Sequence, residues 1–166
     1  MRIEDAKLTQ VDLVIVVPGI AQPAGSKRSF IVRGKNGRPD RAATVDANPK
    51  QKSWQRLVRE CAEEACAGRN VLLGPVELSA VFMLQRPKSH YGSGRNAGTI
   101  KATAPYYVAT RPDLDKLMRA IGDALTGVVW RDDAQVAWLR EVGKIYTEGP
   151  ALTKISVRLL ARGGRA

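Results

Sequence analysis

Between Pro49 and Ala67 the residues Trp54, Leu57, Val58, Cys61, Ala62, Ala65 and Cys66 recur at helical spacing, and Gly68 stands where such a run must stop. A helix patterned in this way carries an apolar stripe that other elements have to cover. Val76, Leu78, Ala80, Phe82 and Leu84 alternate with other residues, so 76–84 reads as a strand with one buried face. A second helix is expected over 113–126, where Leu114, Leu117, Met118, Ile121, Ala124 and Leu125 line one side and Gly127 supplies the stop. The short apolar run 11–17, closed by Pro18 and Gly19, suits a buried strand. Ser29 to Val32 and Ala42 to Val45 flank Asn36-Gly37, a strong hairpin signal. Ala134 to Tyr146 and Thr153 to Leu160 read as two strands joined by a turn at Gly149-Pro150. This order predicts an α+β fold, a mixed β-sheet packed against two main α-helices in a single compact domain. A chain of 166 residues, 44% of them hydrophobic, suffices for one such core. Residues 1–10 and 161–166 are expected to be flexible tails.

Charge then narrows the partner. The chain carries 27 Lys and Arg against 16 Asp and Glu, a formal net charge of +11, which favours a polyanion. An anionic membrane surface would call for a basic amphipathic helix with bulky apolar residues, and none is visible. No apolar run is long enough to span a bilayer, and MRIEDAKLTQ places acids where a signal peptide needs basic and then apolar residues. A cytoplasmic, nucleic-acid-binding protein is the expectation. Cys61 and Cys66 lie five positions apart on one helix and point in diverging directions, which argues against a disulfide or CxxC site. His90, the only histidine, has no companion ligands for zinc.

Ten basic residues lie between Lys27 and Arg59, and five more lie in the acid-free stretch from Gln85 to Arg111. The latter is expected to be a long DNA-facing loop that orders on binding. Lys27, Arg28, Arg86, Lys88 and Arg95 are the foremost candidates for phosphate contact, and Lys116 and Lys144 are also expected to face DNA. Tyr91, Tyr106 and Tyr107 suit stacking on exposed bases, and equally suit packing the loop onto the body.

Against this basic background, five of the sixteen acids fall between positions 113 and 133: Asp113, Asp115, Asp123, Asp132 and Asp133. Asp132-Asp133, expected to open the next strand, can return beside the start of the second helix if helix and strand are neighbours. Three carboxylates within ~5 Å of one another would repel by on the order of 3 kcal/mol per pair at an effective dielectric of ~20. A cluster of that kind has to hold protons or bind a cation. Hard oxygen ligands favour magnesium or manganese over zinc. The same residues also allow a structural reading. Asp113 after Pro112 suits an N-cap, Asp115 suits the helix dipole, Asp115, Arg119 and Asp123 suit surface ion pairs, and Asp132-Asp133 suits a solvated turn.

The run RPDLDKLMRAIGDALTGVVWRDDAQV, 111–136, resembles the core signature of RusA-type Holliday junction resolvases, found in bacteria and phages. The likeness rests on a DxD opening a helix, an Asp-Ala-Leu-Thr phrase at its end, and Asp-Asp-Ala-Gln-Val leading into the next strand. Lys144 on the following strand and the PGIAQPAGSKR loop agree more loosely. The resemblance implies a magnesium-dependent endodeoxyribonuclease, with manganese as a substitute, that acts on four-way DNA junctions as a homodimer. It implies that Asp113, Asp115 and Asp133 bind the metal and carry cleavage, with Asp132 beside them. It also implies a bacterial or phage-encoded setting. Two positions depart from the family pattern. Lys116 stands where Asn is usual, and Arg119 stands where a functional Lys is usual. Arg119 keeps a charge for phosphate contact but does not titrate readily, so Lys116 is the candidate for the missing ammonium. A non-catalytic DNA-binding protein, or a metal nuclease acting on other branched or duplex DNA, are the alternatives.

Overall fold

The computed structural model describes residues 13–25, 27–46 and 48–160; the expected tails lie outside them. In chain order the elements are β1 (Leu13–Pro18), β2 (Lys27–Arg33), β3 (Pro39–Asp46), α1 (Gln51–Ala65), β4 (Val76–Gln85), α2 (Leu114–Leu125), β5 (Val136–Thr147) and β6 (Leu152–Leu159). β2 and β3 form a separate antiparallel hairpin, with Gly37 at φ 70° in its turn. The other four strands form one mixed sheet in the order β1-β6-β4-β5, in which only β4 and β5 run parallel.

The expected α+β architecture is therefore present, with both helices on one face of the sheet. α1 buries Trp54, Val58 and Ala62, and α2 buries Leu117, Ala120, Ile121, Ala124 and Leu125. They meet Leu13, Ile15 and Val17 of β1, Val76, Leu78, Ala80 and Phe82 of β4, and Ile155 and Val157 of β6 in one core. Each fully buried large aliphatic side chain contributes roughly 1.5–3 kcal/mol through removal from water. Cys61 and Cys66 are free thiols at the edge of this core.

Two expectations change, and one connection takes a route that the residues did not specify. The run 11–17 was expected to form a buried strand; residues 11 and 12 lie outside the described ones, and β1 is an edge strand with helices on one side only. Val14 and Val16, on its other side, are 47% and 53% exposed. β5 and β6 are joined by a short turn but do not pair, because β4 lies between them. The turn thus crosses two strand spacings, about 10 Å. Finally, Asp132 and Asp133 precede the strand: β5 starts at Val136, after a 3-10 turn over Asp133–Gln135.

The face of β4 away from the helices carries a buried acid. Glu77 accepts hydrogen bonds from Arg140 at 2.8 Å, and Arg158 lies 3.4 Å from its other oxygen. The hydrogen bond from Arg140, reinforced by the charges of Arg140 and Arg158, outweighs burial and holds Glu77 below the usual carboxylate range. Its contribution to stability is thus present at neutral pH and is lost as pH falls through that lowered value. Urea midpoints measured from pH 7 down to pH 3 should fall less steeply for Glu77→Gln than for the parent chain. Parallel curves would show that the cluster does not couple folding to protons.

Candidate active site along the second helix

The start of α2 is set by a segment drawn against β5. Tyr107 bridges to Ile145, Val108 N donates to Lys144 O at 3.0 Å, and Tyr146 N donates to Tyr106 O at 2.9 Å. The Lys144 ammonium then donates to the carbonyls of Thr110 at 2.6 Å and Pro112 at 2.7 Å. Lys144, expected to face DNA, is thereby the strut that holds the backbone immediately before Asp113.

Asp113 takes the N-cap position in extended conformation, yet its carboxylate makes no capping bond. It accepts from the Lys116 ammonium at 2.7 Å instead. Lys116, by hydrogen bond and then by charge, holds the Asp113 carboxyl below its ordinary range, and Asp113 raises Lys116 in return. Lys116 accordingly does bring an ammonium to the first acid. Asp115 is exposed in the first turn.

Steps of four, three and four residues place Asp115, Arg119, Gly122 and Thr126 on one face of α2. Asp133 lies on the far end of that face. Its Oδ1 accepts from the Thr126 hydroxyl at 2.7 Å, and Oδ2 stands beside Gly122, 3.6 Å from where a Cβ would be. The same hydroxyl oxygen accepts from Nε1 of the fully buried Trp130 at 3.3 Å. A core side chain thus fixes the threonine that orients the exposed acid. Sequence reading missed this role of Thr126, although its eleven-residue offset from Asp115 is a helical repeat that puts both on one face.

Asp132 holds a structural post. Its Oδ1 accepts from Ala134 N at 2.8 Å, and Gln135 Oε1 accepts from Asp132 N at 3.1 Å, a reciprocal cap. Gln135 Nε2 donates to the carbonyls of Leu72 and Gly74, which ties this turn to the approach to β4. Asp123 accepts from Gln55 of α1 at 3.4 Å, and no ion pair joins it to Arg119 among the described residues.

The second acidic pair does not return beside the start of α2. A helix that connects parallel neighbours runs the length of the sheet, so Asp113 and Asp133 are reached from its opposite ends. Residues 115 and 122 are separated by about 10 Å of helix rise. Among the described residues, no three Asp, Glu, His or Cys side chains are grouped so as to hold one ion.

The basic stretch 86–111 is tied down by its own bonds. It contains 3-10 turns at Lys88–His90 and Gly94–Asn96 and a bridge between Tyr91 and Ile100. Arg86 donates to Pro105 O at 2.9 Å and lies over the Tyr146 ring, so it anchors the loop. Lys88 and Arg95 are exposed on it. Tyr106 and Tyr107 stack edge to face and are 56% and 71% exposed, which leaves ring surface for a partner. Lys27 and Arg28 begin β2; their side chains lie outside the described part.

The family described as Endodeoxyribonuclease RusA matches residues 21–158, most of the chain and all of the site above. The chain belongs to this endodeoxyribonuclease family. It is also similar to the uncharacterized protein YqaN of Bacillus subtilis (strain 168), at 31% identity over 85 residues. That alignment takes in 48% of this chain and 55% of the relative, so the chain spans about half the relative's length. No described helix is long and apolar enough to cross a membrane.

Replacing Lys116 by Met should raise the Asp113 carboxyl toward its ordinary value of 3.8. A carboxyl-detected NMR titration reads this directly, and an unmoved Asp113 would show that the two groups are not paired in solution.

Proposed function

We propose that this protein is a magnesium-dependent endodeoxyribonuclease that resolves four-way DNA junctions by paired symmetric nicks. Family membership over residues 21–158 carries the reading. Exposed carboxylates at the start of α2 and beside its far end, in a +11 chain, support the location of its site. A basic surface draws DNA in, while carboxylates repel phosphate unless a cation lies between them.

Asp113 and Asp115 are the proposed metal ligands. All-oxygen donors suit magnesium, and magnesium usually keeps several waters and takes only one or two carboxylates besides substrate phosphate. A closed cage of three acids is therefore not required. Manganese, with similar preferences, is expected to substitute. When bound, the ion would activate water and neutralise charge on the scissile phosphate. Asp133 is the third acid of the site, oriented by Thr126, with Asp132 holding its turn. Lys116 orders Asp113 through their ion pair, and Arg119, on the helix face between Asp115 and the turn of Asp133, is the proposed phosphate contact. Lys88 and Arg95, with Lys27 and Arg28, are the proposed grips on the DNA backbone. A homodimer is the proposed working form, because two opposed nicks in a two-fold symmetric junction need two sites.

In magnesium the protein should nick a synthetic four-way junction at symmetry-related positions, and chelation should stop it. Asp115→Asn should slow nicking on the order of a hundredfold or more. Junction binding should persist in that variant, since removing a negative charge eases the approach of phosphate. Tight binding without nicking in any divalent metal would leave a DNA-binding protein and end the nuclease reading.

Thr126→Val should lower the nicking rate by about 10- to 100-fold, the range for losing a group that orients an active-site acid. Thr126→Ser, which keeps the hydroxyl, should restore most of the rate. Equal rates for the valine and serine variants would show that the hydroxyl has no part in positioning Asp133.

A further inference from the structure

A cavity of ≈ 450 Å³ opens beside Asp113, where three separate parts of the chain meet. Pro23, Ala24 and Pro112 provide apolar wall, and Asn48, Arg111 and Lys116 provide polar groups. The walls are cross-braced. Ala24 N donates to Lys116 O at 2.9 Å, and Asn48 Nδ2 donates to Pro23 O at 3.1 Å. Gly25 N donates to the side chain of Gln51. The cavity is thus built by the packing of the loop after β1 against the starts of both helices, and it has the size of a small-ligand site.

We propose that this cavity receives one nucleobase of the DNA, that of a nucleotide next to the nicked phosphate. The inference rests on the nuclease reading, which puts the nicked phosphate at Asp113 and Asp115. The lining selects a base over a phosphate. The cations Arg111 and Lys116 share the wall with the Asp113 carboxylate, with which Lys116 is paired at 2.7 Å, so the lining carries charge of both signs, and two prolines and an alanine supply apolar surface in place of donors. A flat, uncharged ring gains apolar contact from the same surfaces, and Arg111 is a planar group of the kind that stacks on bases. At its edge the base meets Lys116, which has two protons beyond the one given to Asp113, and Asn48. Asn48 Oδ1 accepts from Lys50 N and keeps a second lone pair. Turning a base out costs pairing and stacking energy, which contact with the apolar wall and with Arg111 would offset. The cavity therefore ties binding to the presence of a base at one position beside the nick.

An abasic scan tests this. Nick positions are first mapped on a junction in magnesium. Single abasic nucleotides are then placed on either side of the nick, and binding is measured with calcium in place of magnesium. One abasic position should weaken binding on the order of tenfold, the effect of losing one stacked base. Asn48→Phe, which fills the cavity, should bind intact and abasic junctions alike, and its melting temperature reports whether it folds. Should that variant not fold, the scan on the unaltered protein decides alone. Nicking with no abasic penalty at any flanking position would overturn the base pocket and leave the nuclease reading intact. No nicking at all would overturn the nuclease reading and the pocket with it.

Discussion

Parallel pairing of β4 with β5 is the constraint on which the rest of this molecule depends. Parallel neighbours cannot be joined by a tight turn, so the chain leaving β4 has to travel back along the sheet before β5 begins. α2 makes that journey. Its apolar side is pinned in the core by Leu117, Ile121 and Leu125, all fully buried, so the opposite side has to face solvent. Asp115, Arg119 and Thr126 stand on that solvent side. The acids at either end of α2 are spaced by the helix itself, and among the described residues no three of them are gathered around one point.

Polar side chains then fix the acids without burying them. Lys144 gives its ammonium to two backbone carbonyls ahead of Asp113, and Thr126 passes the rigidity of the buried Trp130 to Asp133. Exposed carboxylates keep their hydration and charge, which a fully buried group would lose to desolvation. In a strongly basic chain this leaves local negative charge amid a positive field, the arrangement that the proposed metal-dependent nuclease site calls for. Arg86 shows the same economy. Part of the positive charge in 86–111 is used to anchor the segment that leads to the site.

Much of this was legible in the residues because it is local. Both helices follow from apolar spacing and end where Gly68 and Gly127 were expected to end them, each with positive φ. The Lys116–Asp113 pair is a three-residue step on one helix, within reach of any reading of charge spacing. Other features were not local. Val14 is as apolar as Val17, and only the absence of a helix over one face of the sheet leaves the first exposed and the second buried. Glu77 is a lone acid in an apolar strand until β5 and β6 bring Arg140 and Arg158 to it.

Sequence by itself determined the element types, the α+β class, the strongly positive net charge and which acids the proposed site draws on, since periodicity and charge are properties of neighbouring residues. Tertiary structure alone decided the strand order, the spacing of Asp115 from Asp133, the threonine beneath Asp133 and the cavity beside Asp113. Each of these joins residues far apart in the chain or across a turn, and their distances are set by how layers pack rather than by how residues follow one another.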